Sequence, residues 1–236
     1  MSDHEQVLKD AWQAPGNTAI ELPPVDVNQV LHERYDVAED FVFTRTMLWD
    51  MEVHKASRPD IYIPTVIKPD SVEKFPESRD DRFEIFTRVS DQRLWLDQPT
   101  YGLVIEHVRV DHERQRIFFI GAADYVTSDG RTLKAGTGQP IFHVEHSVAG
   151  TEQRPINLWR IVHLTEREDS AMRAYFEEMG RDPYLRVFIE VYIRENLGID
   201  LIRRPITAAP SPATPTPTAT PTAIPAATAS PPQTTN

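Results

Sequence analysis

Two periods of apolar residues divide the chain. Before about residue 56 the apolar positions recur every three to four residues: Val37, Phe41, Leu48 and Met51 fall on one side of a helix, and Phe43, Met47 and Trp49 widen that stripe. From Arg82 the period drops to two, with Phe83, Ile85, Thr87 and Val89 alternating with charged Glu84 and Arg88, the pattern of a half-buried strand. After Thr165 the helical period returns with Met172, Tyr175, Phe176 and Met179.

Turn and cap residues set the bounds. Pro15 and Gly16 stop a short helix around Glu5 to Trp12, and Pro23 and Pro24 close a brief strand over Thr18 to Leu22. Asp26 with Gln29, and Asp36 with Glu39, read as helix-opening boxes; the second predicts a long, largely buried helix through about Ala56. Four prolines at 59, 64, 69 and 76 make Arg58 to Ser78 irregular, with Ile61 to Ile67 extended. Ser90 to Gln92 turn the chain into a strand at Leu94 to Leu96. Strands Tyr101 to Asp111 and Arg116 to Ser128 are joined by a turn at His112 to Arg114, and Asp129-Gly130 is a two-residue hairpin signal. Gly136 and Gly138 predict a bulge before strand Pro140 to Ala149, and the loop GTEQRP leads into Ile156 to Leu164. Thr165 with Glu168, then Asp182 before Pro183, open two closing helices that Gly180 and Gly198 end.

This order predicts an α+β fold, a curved antiparallel sheet of about six strands packed on N-terminal and C-terminal helices around a pocket. Residues 18–204 form that single pocket domain, with 1–17 a flexible N-terminus. Residues 205–236 hold nine prolines, many threonines and alanines, and no charge, so they bury too little apolar surface to offset the entropy of ordering. They read as a disordered tail with polyproline II character.

Charge narrows the functions. All 36 acids and 25 bases precede the tail, and the net charge of -11 repels phosphate, which disfavours a nucleic acid or an anionic membrane surface as the partner, so neither is expected. With no cysteine there is no disulfide and no thiolate chemistry. The start MSDHEQVLKDAW has no basic, then apolar, leader, and no stretch reaches the ~20 apolar residues of a spanning helix, so a soluble cytoplasmic protein is expected.

Candidate chemistry concentrates in PIFHVEHSVAGTEQRPINLWRIVHLTE. If Ala149 and Ile156 pair across the loop, Phe142 faces His163, Val144 faces Ile161 and His146 faces Trp159, while His143 faces Val162 and Glu145 faces Arg160 on the other side. Adjacent strand residues point to opposite faces, so His143 and His146 cannot share a metal. His146 and His163 stand roughly 13 Å apart, four steps of ~3.4 Å, whereas zinc needs ligands within ~2.1 Å. No metal and no other cofactor is expected, and Glu145 with Arg160 reads as a cross-strand ion pair.

Extending that register places His107 opposite Phe119 and Tyr101 opposite Tyr125, so that one sheet face carries Tyr101, Leu103, Ile105, His107, Phe119, Tyr125, Phe142, Val144, His146, Trp159, Ile161 and His163. An apolar wall with a few polar handles is the makeup of a small-molecule pocket. His146, His163 and His107 are candidate acids or bases with Tyr125 as a donor; Trp159, Phe142, Tyr101, Phe119 and Ile161 are candidate ligand contacts. Asp50 and His54, four apart on the long helix, form a further carboxylate–imidazole pair. Each histidine also has a plain reading as a core or edge residue. The opposite face, with Val104, Val108, Phe118 and Ile120, looks apolar too and suggests a homodimer.

The order of elements over residues 18 to 198 resembles the helix-grip architecture of the START-like polyketide cyclase superfamily, in which a bent sheet wraps a terminal helix and leaves a deep cavity. The stretch NLWRIVHL looks like the closing strand of the NTF2-like (SnoaL-like) cone folds, which also enclose a pocket. The apolar wall with its polar handles points to a small, largely apolar or aromatic ligand. Two readings follow: an enzyme of the cyclase, dehydratase or isomerase type working by proton transfer, or a non-catalytic carrier or sensor. A third is a homo-oligomeric interaction module.

Overall fold

In the computed structural model, residues 3–37, 41–136 and 138–206 are described. The chain divides into the units Met1–Arg204 and Pro205–Asn236, and the predicted disordered tail lies, from residue 207 on, outside the described residues.

The segment 1–17 carries α1 (His4–Gln13), capped by the Asp3 side chain. Then come β1 (Thr18–Glu21), β2 (Val25–Asp26) and α2 (Val27–Arg34), the last capped as predicted by Asp26, which accepts from the Gln29 N–H at 3.1 Å. The long helix is shorter than expected. Tyr35–Val37 is a strand, β3, and α3 runs over Arg45–Ser57 from an N-cap at Thr44, whose hydroxyl accepts from the Met47 N–H at 3.1 Å. Thr44 won over Asp36 because Tyr35 to Val37 pair with β12 (Leu201–Arg203), a strand the sequence reading missed.

The proline-rich stretch is also more regular than expected. Pro59 starts a short helix, α4 (Pro59–Tyr62), where extended chain was predicted from Ile61, and Glu73–Arg79 is edge strand β4, bulged between Pro76 and Ser78 where proline cannot donate. Strand β5 (Phe83–Arg93) continues through the predicted turn at Ser90 to Gln92, because every residue from Phe83 to Arg93 finds a partner on β6 (Tyr101–Asp111). After β7 (Arg116–Ala122) the chain breaks at Ala123 into a separate hairpin, β8 (Asp124–Val126) and β9 (Thr132–Lys134), turned by Gly130 at φ 84° as its sequence predicted. Strands β10 (Phe142–Thr151) and β11 (Arg154–His163) follow. Two helical segments follow, α5 (Ser170–Gly180), capped by Asp169, and α6 (Val187–Val191), which continues as a π-helical stretch, Tyr192–Asn196, before β12 closes the unit.

Among the described residues, the main sheet has eight strands in the order β1-β11-β10-β7-β6-β5-β4, with β2 also on β11. The α+β architecture, a large curved antiparallel sheet with helices before and after it, is as predicted. So is the register of β10 on β11, which pairs Phe142 with His163, Val144 with Ile161 and His146 with Trp159.

The register of β6 on β7 differs from the expectation by one residue. The connection is four residues, His112 to Gln115, with Gln115 at φ 52°, and Asp111 pairs with Arg116. His107 therefore faces Ile120, and Val108 faces Phe119. With a period of two, a one-residue slip exchanges the faces. Val104, Glu106 and Val108 share the inner face with Phe119, Val144 and His146, whereas Tyr101, Leu103, Ile105 and His107 share the outer face with His143 and Glu145.

Each face is covered differently. Leu8 of α1 packs on Phe118 and Ile120 of the outer face. The apolar area that suggested a homodimer is thus covered within the chain or, for Val104 and Val108, belongs to the inner face. The inner face packs Val108, Phe119, Val144 and Ile161 with Met172 and Phe176 of α5 in one core cluster. A second cluster joins Leu48 and Met51 of α3 to Phe188, Ile189 and Ile193.

Candidate functional site

Between the inner face and the helices lies a cavity of about 280 Å³. Its wall is aromatic on several sides: Trp95 after β5, Phe119 on β7, Phe142 on β10, Trp159 on β11, Tyr175 on α5 and Phe188 on α6. An apolar cavity of roughly 150 Å³ takes one benzene ring, so this one has room for about two fused rings.

Polar groups line it too: Lys55 from α3, Arg88, Gln92, Glu106 and His146 from the sheet, and Asp182, Arg186 and Arg203 from the C-terminal segments. On α3, Leu48, Met51, Glu52 and Lys55 all turn inward, so two charged residues three positions apart enter the core. Lys55 Nζ lies 2.6 Å from Glu52 Oε2 and 2.9 Å from His146 Nδ1, and 3.8 Å from the centre of the Phe188 ring. Glu52, wholly buried, also accepts from Asn157 Nδ2 at 2.8 Å and lies 3.4 Å from His146 Nδ1 through Oε1. An ammonium cannot accept, so Nδ1 accepts from Nζ, which assigns the proton of the neutral ring to Nε2. The imidazole stacks on Trp159, ring centres 5.1 Å apart, and lines the cavity.

Burial and mutual charge set the protonation states. Burial alone would raise the Glu52 carboxyl, but the Lys55 ammonium beside it outweighs burial and holds the group below the usual carboxylate range. Burial pulls Lys55 down to about 8 against the attraction of Glu52. Burial and the neighbouring Lys55 charge both lower His146, which favours the neutral ring at pH 7.

A second buried pair lies nearby. Arg88 Nε donates to Glu106 Oε2 at 2.8 Å, and Nη1 donates to the carbonyls of Ala56 at 2.7 Å and Lys55 at 3.3 Å. Among the described residues nothing accepts from Nη2, and the guanidinium both lines the cavity and lies 4.5 Å from the centre of the Phe119 ring.

Of the sequence candidates, His146, Trp159, Phe142, Phe119 and Ile161 meet at this cavity. The others lie elsewhere. His163 is on the inner face but outside the lining, wholly buried between Phe142 and Phe176, and neither ring nitrogen has a hydrogen-bond partner among the described residues; burial lowers it to about 4. His107 is on the outer face, 2.7 Å from the Thr87 hydroxyl and edge-on to Tyr125. Tyr125 belongs to the β8–β9 hairpin, and Tyr101 lies under the Arg93 guanidinium. Asp50 and His54 are about half exposed; Tyr192 donates to Asp50 Oδ2 at 2.7 Å, and His54 Nδ1 lies 2.9 Å from the Asp50 carbonyl.

Sequence reasoning missed Glu52, Lys55, Arg88, Glu106 and Gln92, which bonds Glu106 at 3.4 Å. Arg88 was assigned to the solvent side of an alternating strand, yet β5 is buried on both faces from Ile85 to Ser90. One usable signal existed: Glu52 and Lys55 fall on the stripe of Leu48 and Met51, not on the polar side of α3.

No family model matches the chain, and no curated protein matches it. Solved structures do resemble it. One is the crystal structure of Zhui aromatase/cyclase from Streptomyces sp. R1128, at a TM-score of 0.44 and 12% identity over 75% of this chain and 95% of that one. Another is the di-domain ARO/CYC StfQ from the steffimycin biosynthetic pathway, at a TM-score of 0.37 and 15% identity over 69% of this chain and 44% of that one.

Proposed function

We propose that the chain binds a small aromatic molecule carrying oxygen substituents in the inner-face cavity and catalyses acid–base chemistry on it, of the cyclase, dehydratase or isomerase type. The observation that carries this reading is the buried Glu52–Lys55–His146 set, of which Lys55 and His146 line a cavity that also has six aromatic residues in its wall. Taking two charges out of water costs several kcal/mol per ion, and a buried pair is no better for stability than apolar residues of the same volume. A cavity-wall position gives these charges a use. His146, neutral and held through Nδ1, presents Nε2 as proton donor and, after donation, as base. Arg88 Nη2 supplies a donor to a ligand oxygen, and the aromatic rings hold the ring system and exclude water.

The solved neighbours named above are aromatase/cyclases, but the proposal rests on the cavity and its charged groups. It is tested by titrating the protein with mono- and bicyclic phenols while following tryptophan fluorescence, then assaying proton exchange and cyclisation in wild type and His146→Ala. Saturable binding with activity lost in the variant supports the reading. Activity unchanged in His146→Ala overturns the acid–base assignment, and binding with no turnover in either protein favours a carrier or sensor.

A further inference from the structure

The reading above uses Lys55 to hold His146, but the surroundings of its Nζ suit a second chemistry. The amine lies at the cavity wall on the rigid helix α3, 4% exposed, with Phe188 on one side. Its ammonium has three donors: one goes to His146 Nδ1, Glu52 Oε2 lies beside it as an ion-pair partner at 2.6 Å, and no further acceptor is present among the described residues. A purely structural lysine would be expected to point its charge at water. Instead this one is beside a base that can take its proton, and opposite a carboxylate that stays charged when the proton leaves.

We propose that Lys55 is a nucleophile that forms a covalent imine with the ketone or aldehyde carbon of an aromatic ligand held in the cavity. The proposal rests on the cavity being the ligand site and goes beyond proton transfer by His146. The step balances within the site. Nζ–H gives its proton to Nδ1 of His146, and the freed nitrogen lone pair bonds to the carbonyl carbon as the carbon–oxygen π bond breaks. The oxygen takes up the proton from Nε2, and Nε2, now free, takes the second nitrogen proton and passes it to the same oxygen. The carbon–oxygen bond then breaks and water leaves with both hydrogens, while the nitrogen keeps its last hydrogen as a protonated imine. The site begins and ends with one positive charge facing Glu52, so no charge is created in the cavity. A protonated imine draws electrons from the adjacent C–H, which eases carbanion formation and hence aldol-type ring closure and loss of water. The depressed ionisation of Lys55, about 8 against ~10.4 for an exposed lysine, supports the same role.

The test uses the full chain with 2-naphthaldehyde and sodium cyanoborohydride, which reduces an imine to a stable amine. Peptide mass mapping then locates the adduct among Lys9, Lys55, Lys68, Lys74, Lys134 and the N-terminus. Binding of 2-naphthalenemethanol, which lacks the carbonyl, is measured in parallel by calorimetry. The expected result is a single adduct on Lys55, formed faster as pH rises through about 8. It is expected to be lost in Lys55→Arg and slowed roughly tenfold or more in His146→Gln. If the alcohol binds but the aldehyde labels only exposed amines, the imine proposal is overturned while the cavity reading stands. If the alcohol does not bind and Lys55 is unlabelled, both are overturned.

Discussion

Lys55 Nζ on helix α3 lies 2.9 Å from Nδ1 of His146 on strand β10, ninety-one positions away in the chain. This contact ties the helix to the concave face of the sheet and places both residues on one side of the cavity. Glu52 completes the set and is its most buried member. Lys55→Met leaves the Glu52 carboxylate buried without its cation, so the variant is expected to lose about 3–5 kcal/mol of stability. The double variant Glu52→Gln, Lys55→Met is expected to regain most of that loss. Urea denaturation of the three proteins checks this; a double variant no more stable than the single one would contradict it.

His163 gives the protein an acid-sensitive term. Its ring is wholly buried, neither nitrogen has a hydrogen-bond partner among the described residues, and burial lowers it from 6.5 to about 4. Between those values the unfolded chain binds a proton that the folded one refuses. Stability is therefore fully present above about 6.5 and is lost as pH falls toward about 4, by about 3 kcal/mol over the window. His163→Leu removes both the proton binding and the unsatisfied nitrogens, so it is expected to weaken the acid dependence and raise stability at pH 7 by about 1 kcal/mol. Denaturation midpoints at pH 5 and pH 7 check it. His143 and His146, lowered in the same direction by burial, leave a residual slope.

Nη2 of Arg88, which has no acceptor among the described residues, predicts how ligands rank. A phenol oxygen within its reach gains a hydrogen bond to a charged donor, worth about 1.5 kcal/mol and hence roughly tenfold in affinity. 2-Naphthol is expected to bind about tenfold more tightly than naphthalene in a competition titration. Equal affinities would mean that the guanidinium serves only Glu106 and the α3 carbonyls.

How much of this was legible from residues follows the range of the interactions. The β10–β11 register was readable because the two strands meet across one short loop, and it already separated His146, Trp159 and His163 from His143 and the Glu145–Arg160 pair. The β6–β7 register was not, because one residue, Gln115, extends the turn with a left-handed backbone and sends His107 to the outer face. Neither alternation nor turn composition reveals that extra residue. The pairing of Lys55 with His146, and of Arg88 with Glu106 beneath α3, depends on how a helix lies across a sheet, and charges on amphipathic elements were assigned to water by default. Likewise, Thr44 displaced Asp36 as the cap of α3 because β12, near the end of the unit, claims Tyr35 to Val37.

The central claim is that the concave face of the sheet is a ligand site. It is tested most directly by calorimetric titration with 2-naphthol of the wild type and of Val144→Trp, whose larger side chain fills the cavity from β10. Circular dichroism is used to show that the variant is folded. The account predicts saturable one-site binding to the wild type and its loss in the folded variant; equal binding to both proteins, or none to the wild type, would contradict it.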